Sequence, residues 1–341
     1  MLLINPRYAA INAIKAAIAS FIGYIVGHYL GNYLDVTQMY SWIVVTILVI
    51  MSGQPNLGGA IDKALMRFLA TAFTATVAMV IIYFFSDHSF IILVFSLCLI
   101  FIGVFIANSI PKYTYAGILG SVTVAITMFG QNISVSFAFY RALEVLIGIF
   151  IALLVNRFLF PIRAEKQIEK SFAASIKEIK KLHGYLIEGK SYESLLAKMF
   201  AHFTKQIALL KEIKYEKAKV HIEQYRNINR TIRRLYRYIC VLHEYISAYP
   251  EKREKFSHHE NFLALFNVIN QLLQSLEISF TKRKTMPLRK LNDAQDKLKE
   301  FMATLNIASE HRHSSTLVFS LQSIIYNIEQ IIDAQRLIYQ K

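Results

Sequence analysis

The feature that most constrains this sequence is a change in character at Pro161. Before it, long stretches run without a charge; after it, charged residues recur every few positions. Seven Lys and Arg residues and four acids precede Pro161, whereas 31 bases and 19 acids follow it. Six apolar segments lie in the first part, at 8–30, 40–51, 65–85, 90–107, 113–129 and 135–160. Each is near the ~20 residues needed to cross a bilayer except 40–51. That run stops at Ser52-Gly53-Gln54-Pro55-Asn56-Leu57-Gly58-Gly59, so Gly53, Gln54, Pro55 and Gly58 read as a broken helix feeding into the next span. Hydrocarbon leaves backbone polar groups no partner but the chain itself. The pattern therefore predicts an all-α polytopic membrane domain of about six transmembrane helices over residues 1–161.

An Ala-Ile-Ala-Ser sequence at 17–20 resembles a signal-peptidase site, but the apolar run continues to Leu30, which predicts a retained span. Lys and Arg in short loops stay on the cytoplasmic side. The segments carrying Arg7, Lys63 and Arg67, Lys112, and Arg157 and Arg163 alternate with segments 31–38, 86–89 and 130–134, which contain no Lys or Arg. Six spans with both termini in the cytoplasm satisfy every loop. Tyr24, Tyr29, Tyr33, Tyr40 and Trp42 then form an outer aromatic belt.

Residues 162–341 read as a cytosolic bundle of five or six amphipathic helices, running from near Glu165 to near Tyr339. Ile168, Phe172, Ile176, Ile179 and Leu182 show the helical spacing, and Gly189-Lys190-Ser191, Pro250 and Pro287 mark breaks. The full chain has a net charge of +15, yet acids are interleaved with the bases throughout. That balance favours a solvated surface near anionic membrane lipid over a nucleic-acid partner.

Charges inside spans are costly, which makes each a functional candidate, with snorkelling at a helix end as the alternative. Lys15, Lys63, Arg67 and Arg141 are the clear cases. Lys63 and Arg67 lie one turn apart, and Thr71 and Thr74 continue a polar stripe into the third span. Arg141 lies two turns inside the sixth span, with Glu144 three residues on; a purely structural ion pair and a functional cation both fit that spacing. Gly148 and Ala152 on the same face form a small-xxx-small pair, commonly a packing device.

The two halves also look alike. Met51-Ser-Gly-Gln-Pro-Asn56 and Met128-Phe-Gly-Gln-Asn132 are each followed by an Arg that begins a span, Arg67 and Arg141. Three spans separate the equivalents, so the copies are expected to be inverted in the membrane, as in secondary transporters whose sites sit beside broken helices. Arg67 is placed at the inner end and Arg141 at the outer end of one route, and basic mouths favour anions.

Enzyme signatures are missing from the sequence. It has no Gly-rich phosphate loop ending in Lys-Ser/Thr and no Gly-x-Ser-x-Gly, and His258-His259-Glu260 lacks a partner motif. Cys98 and Cys240 offer neither metal-ligand spacing nor a disulfide framework, and both are expected to pack in the interior. No cofactor, metal or catalytic role is expected. Transport would be driven by an ion gradient, with protons the natural ion and Asp62 and Glu144 the acids near the route.

The run Trp42-x3-Thr46-x8-Pro55-x8-Ala64-x2-Arg67, then Tyr140-Arg141-x6-Gly148-x6-Val155 and Pro161, resembles the fusaric-acid-resistance and aromatic acid exporter family. It is also similar to plant aluminium-activated malate channels. The resemblance implies export or conduction of aromatic or other carboxylates across a bacterial inner membrane. Many bacterial members carry two such halves, so a single half implies a homodimer. A passive anion channel using the same residues, and a membrane scaffold whose cytosolic bundle binds a partner, are the alternatives.

Overall fold

A computed structural model describes residues 6–52, 56–130, 133–216, 219–249, 254, 258–306 and 314–339. The expected broken-helix residues Gly53, Gln54 and Pro55 lie outside the described residues; Gly58 is buried in the first turn of the third helix. The chain divides into two compact units, Met1–Arg163 and Ala164–Lys341.

The first unit contains α1 (Pro6–Leu34), α2 (Met39–Met51), α3 (Leu57–Phe85), α4 (Ser89–Ser109), α5 (Thr114–Met128) and α6 (Val135–Phe158). Among the described residues, α1, α3, α4 and α6 are long and apolar enough to cross a membrane. The other two are short. With 13 and 15 residues, α2 and α5 reach only about 20 Å and 22 Å, against roughly 30 Å of hydrocarbon. Sequence spacing singles out only α2, because Tyr113 and Phe129 extend the apolar run of α5 beyond its helical residues. Helix α3 also begins eight residues earlier than the apolar run suggests, so Lys63 and Arg67 lie inside it rather than at its start.

The unit is apolar outside as well as inside. Phe73, Phe90, Phe101, Phe105 and Phe158 are exposed, which suits a hydrocarbon surround and not water. Cys98 belongs to that outer surface rather than to the interior expected for it, while Cys240 is half-buried.

Packing repeats itself across the two halves. Helix α1 lies on α2 as α4 lies on α5, α2 lies on α6 as α5 lies on α3, and α3 meets α6. Even the register repeats. Gly23 of α1 faces Ile43 and Ile47, and Gly103 of α4 faces Gly117 and Ser121, which lie 74 residues beyond Ile43 and Ile47, although the two glycines themselves are 80 apart. The same shift exchanges the contact of Thr46 with Gly148 for that of Gly120 with Thr74. Gly148 is required by this approach, since a Cβ there would stand 2.7 Å from the Thr46 Cβ and 2.9 Å from the Ile43 carbonyl oxygen.

The second unit holds α7 (Ala164–Glu188), α8 (Glu193–Ile213), α9 (Lys219–Ala248), α10 (Glu260–Lys282), α11 (Arg289–Asn306) and α12 (Ser314–Tyr339). Its helices are amphipathic, with Phe172, Ile176, Ile232, Leu272 and Ile328 in one continuous apolar core. Several of its buried polar groups pair with one another. Gln206 donates to Ser171 and to Ser175 at 2.8 Å, and Asn229 donates to Gln206 at 2.9 Å. The buried Glu165 and Glu169 carboxylates pair with Arg283, and Tyr225 donates to Glu169 at 2.8 Å. Burial still pushes Glu169 above the usual carboxylate range, against the pull of Tyr225 and Arg283.

His183 is fully buried and stacked on Phe266, ring centroids 4.0 Å apart, with neither ring nitrogen hydrogen-bonded. Burial lowers its pKa to about 3, while the unfolded chain protonates near 6.5. Stability from this residue is therefore complete above about pH 6.5 and lost progressively below it, by up to ~1.4 kcal/mol per pH unit. Between pH 7 and pH 5 the wild type should lose about 2 kcal/mol more stability than His183→Phe, read from unfolding curves at both pH values.

Candidate functional site

The arginines that sequence spacing points to sit where α2, α3 and α6 meet. Arg141 is buried on α6, and its Nη1 donates to Glu144 Oε2 at 2.8 Å, one turn along the same helix. Its guanidinium lies 3.7 Å from the centroid of Trp42 and 5.2 Å from that of Phe137. The cation is thus compensated by a carboxylate and covered by an aromatic face, contacts that are strongest away from water. Trp42, half-buried on α2, thus covers the arginine. Thr46, one turn on from Trp42, packs against Gly148.

Arg67 has the same chain position in the first half, 74 residues earlier, but a different environment. It is 5% exposed, and its Nε and Nη1 are buried without a hydrogen-bond acceptor. Tyr115 on α5 and Arg141 are both close enough to act on it electrostatically. The two arginines are therefore within electrostatic reach of one another. Buried donors are almost always satisfied, and an arginine with two buried nitrogens lacking acceptors marks a position where an anion would be favourable.

The polar stripe of α3 divides. Thr71 is buried on the α6 side, with its hydroxyl unpartnered, whereas Thr74 donates back to Ala70 at 2.7 Å. Lys63 stands one turn before Arg67, donating to the Ser52 carbonyl at 2.5 Å, with its Nζ 5.5 Å from the Tyr115 ring centroid. The Tyr115 hydroxyl contacts the Val49 carbonyl at 3.5 Å. Lys15 is fully buried on α1 and donates to Asn156 Oδ1 on α6 at 3.0 Å. From the same face of α1, Asn12 donates to the Met51 carbonyl at 2.9 Å, satisfying an end group of α2. Asp62 is half-buried on α3.

Sequence reasoning missed Tyr115 and the pairing of Lys15 with Asn156. An aromatic in the first turn of α5 carries no signal of its own, and 141 residues separate the lysine from its acceptor. Among the described residues no cluster of three or more His, Cys, Asp or Glu side chains is placed to hold a metal.

A family model for the fusaric acid resistance protein family matches residues 10–338, nearly the whole chain and both of its units. The chain belongs to this family. No curated protein matches the sequence significantly. The family is one of membrane transport and efflux, in keeping with the apolar outer surface and the membrane-length helices of the first unit.

Removing one partner of a buried ion pair strands the other. Arg141→Met or Glu144→Leu alone should each destabilise the protein by about 3–5 kcal/mol. The double variant should recover most of that loss, giving a large coupling in a double-mutant cycle read from thermal unfolding in detergent.

Proposed function

We propose that this protein exports organic anions, aromatic or other carboxylates, across a bacterial inner membrane, with an ion gradient as the driving force. The observation that carries the reading is the contrast between the two equivalent arginines. Arg141 already holds a carboxylate, that of Glu144, and Arg67 holds none among the described residues. A substrate carboxylate at Arg67 would supply what Glu144 supplies to Arg141. Lys63 and Tyr115, on the approach to Arg67, draw the anion inward; Thr71 and Thr74 line the same helix beyond it. Arg141 stands further along the route as a second cation, and its attraction is tempered by Glu144. Lys15 holds the inner end of α6 through Asn156 and adds positive charge to the same side.

The short helices support a transporter. Two short helices at corresponding positions of two halves are the arrangement found where transporters bind substrate near the midplane. With six crossings both termini are cytoplasmic, the second unit is cytosolic, and the three-helix halves run in opposite senses. The chain works as a homodimer. Protons are the coupling ion, with Glu144 the acid placed among the buried cations.

In proteoliposomes an imposed proton gradient should drive concentrative movement of an aromatic carboxylate. Arg67→Gln should cut that flux at least about tenfold, the effect of losing a charge-assisted contact, while the purified variant keeps its oligomeric state. Flux that follows only the anion's own electrochemical potential would overturn the coupled mechanism, and unchanged flux in Arg67→Gln would overturn the site.

A further inference from the structure

Helix α8 has two apolar sides. One packs on α7 and α9 and buries Leu195, Met199 and Leu209. On the other, Leu196, Phe200 and Ile207 stand 41%, 76% and 45% exposed, with Ala197, Thr204 and Ala208 exposed beside them. The Thr204 hydroxyl donates to the Phe200 carbonyl at 2.9 Å and so needs no outside partner. Charge enters this second side at its ends. Glu193 lies in the first turn and Lys211 in the last; both are exposed, and neither side chain has an ion-pair partner among the described residues. An apolar row of this length on the outside of an otherwise amphipathic, charge-covered bundle marks a surface that another molecule covers.

The order of the residues indicates what covers it. From the acid to the base the positions are 193, 196, 197, 200, 204, 207, 208 and 211, and the intervals between them are the same read from either end. Such a face can pair with itself. Laid antiparallel on its own copy about a two-fold axis at position 202, it sets Glu193 opposite Lys211, Leu196 opposite Ala208, Ala197 opposite Ile207 and Phe200 opposite Thr204. Each large side chain then meets a small one, and each acid meets a base. Self-complementarity of this kind is what a two-fold interface demands, because every contact is made twice with the partners exchanged. A parallel pairing would instead oppose Phe200 to Phe200 and Lys211 to Lys211. An anionic lipid surface would favour bases along the whole row, whereas this row carries a base at one end and an acid at the other.

We infer that α8 docks antiparallel on α8 of a second copy of this chain. Small residues at the contact let two helix axes approach to about 8 Å, and the large ones fill the spaces between them as knobs in holes. With 21 residues α8 is about 32 Å long. A strip of that length and about 10 Å wide covers roughly 300 Å² per copy, less than the ~800 Å² per partner of a stable interface. The α8 pair is therefore one contact within a wider interface. The inference rests on the homodimer reading and deepens it by naming a face.

The test is disulfide cross-linking of the full-length protein in membranes, with Cys98→Ser and Cys240→Ser removing the native thiols. Leu196→Cys combined with Ala208→Cys should give a covalent dimer on oxidation. Either variant alone should not, since its two copies stand about 18 Å apart along the helix axis in this pairing. In the double-cysteine protein Glu193→Lys should slow cross-linking about threefold or more, and Lys211→Glu added to the same chain should restore the rate. Cross-linking by Leu196→Cys alone would mean a parallel pairing and overturn the inference. A rate that Glu193→Lys leaves unchanged, or that Lys211→Glu fails to restore, overturns it as well. Native mass spectrometry of the same samples separates the two proposals: a dimer in which 196 and 208 never cross-link defeats this face alone and leaves α8 to lipid or to another protein, whereas a monomer throughout defeats the homodimer reading itself.

Discussion

A guanidinium inside an apolar bundle has to be compensated, and much of the first unit is arranged around that constraint. Moving such a charge out of water costs several kcal/mol even after relaxation. Arg141 offsets this with Glu144 at 2.8 Å and the Trp42 face at 3.7 Å. For Trp42 to reach it, α2 must lie close on α6, and Gly148 permits that approach where any Cβ would collide with Thr46 and Ile43. The small residue, the short helix and the ion pair are thus parts of one solution.

The other half reuses the geometry without the compensation. At the α3–α5 contact the packing of Gly120 on Thr74 is looser than that of Gly148 on Thr46 between α6 and α2, and Ala70 and Ala116 stand where Glu144 and Trp42 stand there. The two equivalent contacts thus differ in that only Arg141 has a carboxylate and a tryptophan face against it. The α2–α6 contact shows which chemical groups satisfy an arginine at that place.

Much of this was legible in the chain. The division after residue 161, the apolar segments and the candidate cations Lys15, Lys63, Arg67 and Arg141 follow from hydropathy and charge, since hydrocarbon leaves few ways to place either. The pairing of Arg141 with Glu144 follows from helical spacing. The shortness of α5 was hidden because helix ends depend on local backbone geometry, and apolar residues such as Tyr113 and Phe129 continue past them. That Arg67 and Arg141 come within electrostatic reach was hidden as well. It depends on how deeply α3 starts before its apolar run, with Leu57 rather than Leu65 as its first residue. Lys15 with Asn156, and Trp42 with Arg141, are contacts between helices distant in sequence, which no local pattern encodes.

The central claim is that Arg67 recognises a carboxylate. Titration calorimetry of the purified protein with 2-naphthoate and with the isosteric 2-naphthamide tests it most directly. The account predicts that the acid binds, that the amide binds far more weakly, and that Arg67→Gln removes the difference between them. Equal binding of acid and amide, or discrimination that survives in Arg67→Gln, would contradict it.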